Sequence, residues 1–128
     1  MESSYTLLLV DDEPANRLLL SKRLEQDGHM VNTAENGRQA LDMMQTERFD
    51  LVLLDLLMPV MDGMATLSAI KSDPALKDTT VVMLSSDDNR ETMDNCFNLG
   101  ASDYLTKPVN PLELKQRVRR CLEAGQNA

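Results

Sequence analysis

Residues 51–71 read LVLLDLLMPVMDGMATLSAIK. Leu51 to Leu54 form a dense apolar run that stops at Asp55, the pattern of a strand buried on both faces. A loop containing Pro59 follows, from Met58 to Gly63. A helix is then predicted from about Met64 to Lys71, with Leu67 and Ile70 on its inner side. Strand, loop and helix in this order make one unit of an α/β protein, and the rest of the chain repeats it.

Upstream, Tyr5 to Val10 is a second buried strand, ended by Asp11, Asp12 and Glu13. Pro14 suits the first turn of a helix, where its missing N–H costs nothing. That helix carries Leu18, Leu20 and Leu24 near helical spacing and ends at Gly28. Met30 to Ala34 is a weaker strand whose Asn32 and Thr33 suit a sheet edge. Asn36 is placed to cap the next helix, with Ala40, Leu41 and Met44 inward. Downstream, Asp73, Pro74 and the polar residues after Lys77 connect to a strand from Val81 to Leu84, ended by Ser85 and Ser86. Met93, Cys96 and Phe97 fit a fourth helix closed by Gly100. Asp103 to Thr106 is a short strand, and Pro108 and Pro111 bracket a loop. Leu114, Val118, Cys121 and Leu122 then mark a last helix at i, i+4, i+7 and i+8. Five strand–helix units predict a doubly wound parallel sheet with helices on both faces. Strand order is not contained in this pattern.

The 128 residues suit a single domain over 1–128, with a core from about 5 to 122. A hydrophobic fraction of 42% with 27% charged residues fits a globular chain rather than a disordered one. A formal charge of -8, 3% aromatics and no Trp count against binding nucleic acid, which needs a positive field and stacking surfaces. The same charge counts against an anionic membrane surface. No apolar run approaches the ~20 residues of a membrane helix, and the short acidic start is not a secretory signal. Cys96 and Cys121 sit within helical patterns and read as reduced thiols, so a cytoplasmic setting is expected.

In a doubly wound sheet, ligands bind beyond the carboxyl ends of the strands. The strand-ending residues are Asp11 and Asp12, Asp55, Ser85, and Lys107 just after the fifth strand. Three clustered carboxylates repel, so either their pKa values rise or a cation binds. Oxygen ligands in a hydrated site suit Mg²⁺, and no His or thiolate cluster favours zinc. A carboxylate beside Mg²⁺ and a Lys can attack phosphorus. Asp55, alone at the end of the central run, is the nucleophile candidate. Asp11 and Asp12 are the metal-ligand candidates, directly or through water. Lys107 supplies the counter-charge, and Ser85 a hydroxyl for a phosphoryl oxygen. Singly, each residue has an ordinary structural use: Asp12, for example, could cap the helix that begins near Pro14.

These motifs resemble the receiver domain of two-component response regulators. Leu8 to Glu13 resembles that family's first strand and acidic pair. Asp55 to Gly63 resembles its phosphoacceptor segment almost residue for residue, and Gly100 to Pro108 resembles its fifth strand and Lys-Pro signature. The likeness runs from about Tyr5 to Leu122. It implies the flavodoxin-like sheet order 2-1-3-4-5, and a switch rather than an enzyme with an external substrate. It implies that Asp55 accepts a phosphoryl group from a phosphohistidine on a histidine kinase or phosphotransfer protein. Asp12 would bind Mg²⁺ directly and Asp11 chiefly through water, with Asp55 and the backbone carbonyl of Leu57 as further ligands. Ser85 and Tyr104 stand at the switch positions, changing the surface of the fourth helix, fifth strand and fifth helix for an output domain or protein. Leu57 and Asp87 stand where phosphoryl lifetime is tuned. A stand-alone receiver, the N-terminal part of a longer regulator and a hybrid-kinase module all fit, as does a phosphorylation-dependent dimer.

Other readings fit less well. An aspartyl-phosphate phosphatase resembles Asp-x-Asp at its nucleophile, whereas Leu57 stands two residues after Asp55. A flavin module would place a phosphate-cradling loop where Asp11, Asp12 and Glu13 stand. A calcium loop at Asp87, Asn89 and Glu91 has Thr92 where Gly is required. A phosphorylation-independent interaction module would not need every chemical position filled. The basic residues Arg117, Arg119 and Arg120 read slightly better as a solvated face than as a partner surface.

Overall fold

The structure is a computed structural model that describes residues 5–126. In chain order the elements are β1 (Thr6–Val10), α1 (Pro14–Gln26), β2 (Met30–Ala34), α2 (Gly37–Thr46), β3 (Leu51–Asp55), α3 (Gly63–Ser72), β4 (Thr80–Ser85), α4 (Arg90–Asn98), β5 (Asp103–Thr106) and α5 (Pro111–Gln126). The strands form one parallel sheet in the order β2-β1-β3-β4-β5. All five expected units are present, and the polar second strand lies at an edge.

Strand alternation sorts the core into two layers. Leu8, Val10, Val52, Leu54, Val81, Met83 and Tyr104 face one way, against residues of α2, α3 and α4 such as Leu41, Leu67, Ile70 and Cys96. Leu7, Leu9, Leu51, Leu53, Val82, Leu84 and Leu105 face the other, against Leu20 and Leu24 of α1 and Leu114, Val118, Cys121 and Leu122 of α5. Each fully buried Leu or Val contributes roughly 1.5–3 kcal/mol relative to exposure, so both faces hold the sheet.

Local chemistry sets the helix starts. Asn36 accepts from Gln39 N–H at 2.9 Å, the cap expected for α2. Asp62 caps α3 through Ala65 N–H at 2.8 Å, and Asn89 caps α4 through Glu91 N–H at 2.8 Å. Asp12 does not cap α1. Glu13 holds the N-cap position without a side-chain cap, and Asp11 Oδ1 instead accepts from Glu13 N–H at 2.9 Å. Two apolar residues of the helical patterns face out. Leu18 is 59% exposed while Leu20 and Leu24 are buried: residues two apart on a helix point some 200° apart, so Leu18 and Leu20 cannot share a face. Phe97 is exposed because Cys96, its neighbour, takes the core position of α4.

The β1-to-β3 reversal of strand order opens a crevice between the ends of those two strands. Main-chain bonds hold the neighbouring ends in line: Asp11 N to Ala34 O (3.1 Å), Leu56 N to Leu84 O (2.9 Å) and Lys107 N to Ser85 O (2.8 Å). Gly63 closes the loop after β3. Its N–H donates to Leu56 O at 2.8 Å, and a Cβ there would lie 2.3 Å from the Asp55 carbonyl oxygen and 2.6 Å from Leu56 Cα. Both are backbone atoms, so nothing flexible can yield. Gly63→Ala is therefore expected to lower stability by roughly 1–3 kcal/mol, the usual range for forced overpacking, read as a drop in the urea midpoint. A midpoint equal to the parent's would contradict the close approach.

Candidate functional site

The sheet brings the strand-ending residues together as anticipated. Asp11, Asp12, Asp55, Ser85 and Lys107 line one open cleft of about 340 Å³, with Glu13, Asn16, Leu57 and Ser86. Asp11 and Asp55 are buried, and Asp12 is exposed at the rim. One carboxylate oxygen from each of the three aspartates lies within 4.8 Å of the others.

Lys107 is the cation that reaches them. Its Nζ lies 3.2 Å from Asp11 Oδ2 and 3.3 Å from Asp55 Oδ1. Burial alone would lower the Lys107 ammonium, but Asp55 and Asp11 outweigh it and hold it above its ordinary value. Asp55 moves the opposite way to a simple ion pair. Burial pushes its carboxyl up to about 6; Lys107 opposes this, and Asp11 and Asp12 add to it. The rise is thus an effect of burial, since Lys107 more than offsets the two neighbouring carboxylates.

Sequence reading missed the support beneath Asp11. Arg17, one helical turn into α1, donates from Nη1 to the Asp11 carbonyl at 2.8 Å and reaches Glu35 at 3.7 Å. The available signal was a basic residue in the turn that follows the acidic pair.

The remaining singled-out residues lie around the cleft. Leu57 lines it with its side chain 64% exposed. Ser85 is buried, and its Oγ accepts from Asp87 N–H at 3.0 Å. Tyr104 is 5% exposed, turned inward within the core layer of α2, α3 and α4. Its hydroxyl donates to the Asp87 carbonyl. Burial raises the Tyr104 phenol, partly offset by the Ser85 hydroxyl. Asp87 itself does not line the cleft: Oδ1 accepts from Asn89 N–H at 2.8 Å and Oδ2 from the Thr92 hydroxyl at 3.1 Å. The basic stretch of α5 is more than a solvated face. Arg117 holds the buried Asp103 carboxylate with bonds of 2.7 and 2.9 Å, and Arg120 stands 3.6 Å away.

The donor set fits a hard divalent cation. Three carboxylates converge with a net negative balance, one of them open to water, and no His or Cys stands among the residues lining the cleft. Among the described residues, no helix is long and apolar enough to cross a membrane.

A family model described as the response regulator receiver domain matches residues 7–119. The chain is 35% identical over 128 residues to a probable transcriptional regulator, ycf27, of Guillardia theta, matching all of this chain and 49% of that protein. It is similar in structure to the chemotaxis protein CheY4 of Vibrio cholerae, with a TM-score of 0.88 and 34% identity over 93% of this chain and 99% of that one. It is also similar to the receiver domain of the sensor histidine kinase PA1611 of Pseudomonas aeruginosa, solved with a magnesium ion in its active-site cleft. There the TM-score is 0.87 and the identity 27%, over 94% of this chain and 96% of that one. The chain spans about half or less of the length of the first curated relatives it matches. Some relatives join such a domain to an enzyme, as in a probable cyclic di-GMP phosphodiesterase of Vibrio cholerae. With the match running from β1 into α5 and the strand order 2-1-3-4-5 beneath it, the chain belongs to the response regulator receiver domains, whose general function is that of a phosphorylation-activated switch.

Proposed function

We propose that this chain accepts a phosphoryl group on Asp55 from a phosphohistidine of a sensor kinase or phosphotransfer protein, and passes the change to an output domain or protein through α4, β5 and α5. The observation that carries this reading is the placement of Lys107 Nζ within 3.3 Å of both Asp11 and Asp55, in a cleft where three carboxylates converge. The chain acts as one receiver unit over 1–128, in the cytoplasm, as a switch and not as an enzyme on an external substrate. Enzymatic or DNA-directed output belongs to whatever protein or domain reads it.

An Asp55 carboxylate oxygen forms the new O–P bond while the donor's P–N bond breaks and the imidazole leaves with the electron pair. Asp11, Asp12 and the Leu57 carbonyl would hold Mg²⁺, which when bound neutralises charge on the transferring phosphoryl oxygens. Lys107 already stands at Asp55 and can follow the charge onto the phosphoryl group. The Ser85 hydroxyl, two residues from the loop that holds Tyr104, offers a donor to a phosphoryl oxygen and links the new charge to α4. A partner that prefers the resulting surface must, by linkage, favour the phosphorylated state. The magnesium-bound cleft of the PA1611 receiver supports the choice of ion.

Intact mass after incubation with Mg²⁺ and a small acyl-phosphate donor tests the core of this reading. The parent is expected to gain one phosphoryl group and Asp55→Asn none. No gain, from either that donor or a phosphorylated histidine protein, would leave an interaction module independent of phosphorylation.

Leu57 offers an attacking water no hydrogen bond, and Asp87 shapes the loop beside Ser85, so Leu57→Asn and Asp87→Ala are each expected to change the rate of phosphoryl loss. Three equal decay curves, for the parent and the two variants, would refute both assignments.

Asp55 also gives a pH signature. Its carboxyl ordinarily titrates at 3.8 and in the fold at about 6. Between those values the native state binds more protons than the unfolded one, so stability falls as pH rises through the window, and the loss is complete above it. Without divalent ions, Asp55→Asn is expected to exceed the parent's stability at pH 7.5 by on the order of 1–2 kcal/mol. The gap should close below about pH 4. Denaturant melts at the two pH values check the sign; a parent more stable than the variant at pH 7.5 would reverse it.

A further inference from the structure

The Asp87 residue joins both proposed switch side chains through its main chain. Its N–H donates to Ser85 Oγ at 3.0 Å, and its carbonyl accepts the Tyr104 hydroxyl. That hydroxyl lies within a ring only 5% exposed. Whether Tyr104 stays inward therefore depends on where the Asp87 carbonyl is held, since a phenol buried without an acceptor is costly.

The side chain of the same residue fixes that carbonyl. Asp87 Oδ1 accepts from Asn89 N–H at 2.8 Å, and Oδ2 from the Thr92 hydroxyl at 3.1 Å. Asn89 in turn caps α4 through Glu91 N–H and Thr92 N–H. Both carboxylate oxygens are thus spent on the loop and on the first turn of α4, and the group lies half-buried outside the phosphoacceptor cleft. A carboxylate placed to act on water at Asp55 would face that cleft. This one faces the helix.

We propose that Asp87 and Thr92 form a latch between the β4–α4 loop and α4 that holds the Tyr104 ring inward, and so sets the balance between its inward and outward positions before any phosphoryl group arrives. Asp87 and Thr92 are positioning residues in this role, acting on Tyr104 through the loop. The proposal rests on Tyr104 being the switch aromatic. It assigns the control of that switch to a hydroxyl on α4 that the sequence motifs do not mark. A chain with an intact latch is biased toward the inward state and needs less from phosphorylation to complete it.

The chain has two tyrosines and no Trp, so full-length protein labelled with 3-fluorotyrosine gives two fluorine resonances, and Tyr104→Phe assigns them. Read without any phosphoryl donor, the parent should show Tyr104 shielded from a soluble paramagnetic probe. Thr92→Val keeps the side-chain shape and removes the hydroxyl. It is expected to raise the ratio of exposed to shielded Tyr104 roughly tenfold, the weight of one hydrogen bond to a charged acceptor. Thr92→Ser should restore shielding. Asp87→Ala, which also removes the bond from Asn89 N–H, should raise the ratio at least as far as Thr92→Val, and the double variant should add nothing beyond Asp87→Ala, since the Thr92 hydroxyl then has no acceptor left to lose.

A Tyr104 resonance unchanged in position and shielding in Thr92→Val and Asp87→Ala would overturn the latch, as would full additivity in the double variant. A shift in melting temperature with no movement of that resonance would overturn it too. Thr92→Val should still gain one phosphoryl group from the acyl-phosphate donor. Failure of the parent to gain that group would strike the Asp55 chemistry and leave the fluorine result standing, so the two readings fail separately.

Discussion

The site depends on one ammonium placed between two buried carboxylates. Lys107 follows β5, Asp11 follows β1 and Asp55 ends β3, and the Lys107–Asp11 pair is 96 residues apart in sequence. Removing the ammonium would leave the carboxylates facing one another uncompensated in a poorly solvated place, a loss that typically costs about 3–5 kcal/mol. The sheet must therefore hold the ends of β1, β3 and β5 in fixed relation. The parallel register from β2 to β5 does so, with Leu56 tied to β4 and Lys107 to Ser85 by main-chain bonds. Burial is what makes Asp55 unfavourable to ionise in the bare fold, against the pull of Lys107.

The architecture also separates support from signalling. The face packed by α1 and α5 carries Leu105, and the face packed by α2, α3 and α4 carries its neighbour Tyr104. Adjacent residues of a strand point to opposite layers. Tyr104 thus packs in the layer that contains α4, and Leu105 in the layer that contains α5. The Arg117–Asp103 pair ties α5 to the start of β5, and the Lys107 N to Ser85 O bond holds the other end of that edge strand.

Most of the fold was legible because apolar runs and breakers agreed at every unit. Asn36 capped the helix expected of it, and Leu114, Val118, Cys121 and Leu122 all faced the core. The cleft residues were legible for a related reason: in a parallel sheet every strand end falls on one edge, so sequence position stands in for spatial position. Where the reading failed, it lacked a direction. Leu18 and Phe97 are apolar, and apolarity alone does not say which side of a helix faces the sheet. Asp87 and Arg117 were visible as charges, but their partners, Thr92 and Asp103, are set by the bend of a loop and the packing of α5 against β5. Neither has a fixed spacing that a sequence could display.

The sequence separation within the site has a consequence during synthesis. A nascent chain presents Asp11, Asp12 and Asp55 before Lys107 has been added. At roughly 5–20 residues per second, Asp55 precedes its counter-charge by roughly 3–10 seconds. Through that interval β5 cannot have joined the sheet, and the acidic trio has no ammonium beside it. Under the function proposed for Asp55, half-made chains lack the ammonium of the site, and only a polypeptide that has closed its last strand holds the whole of it.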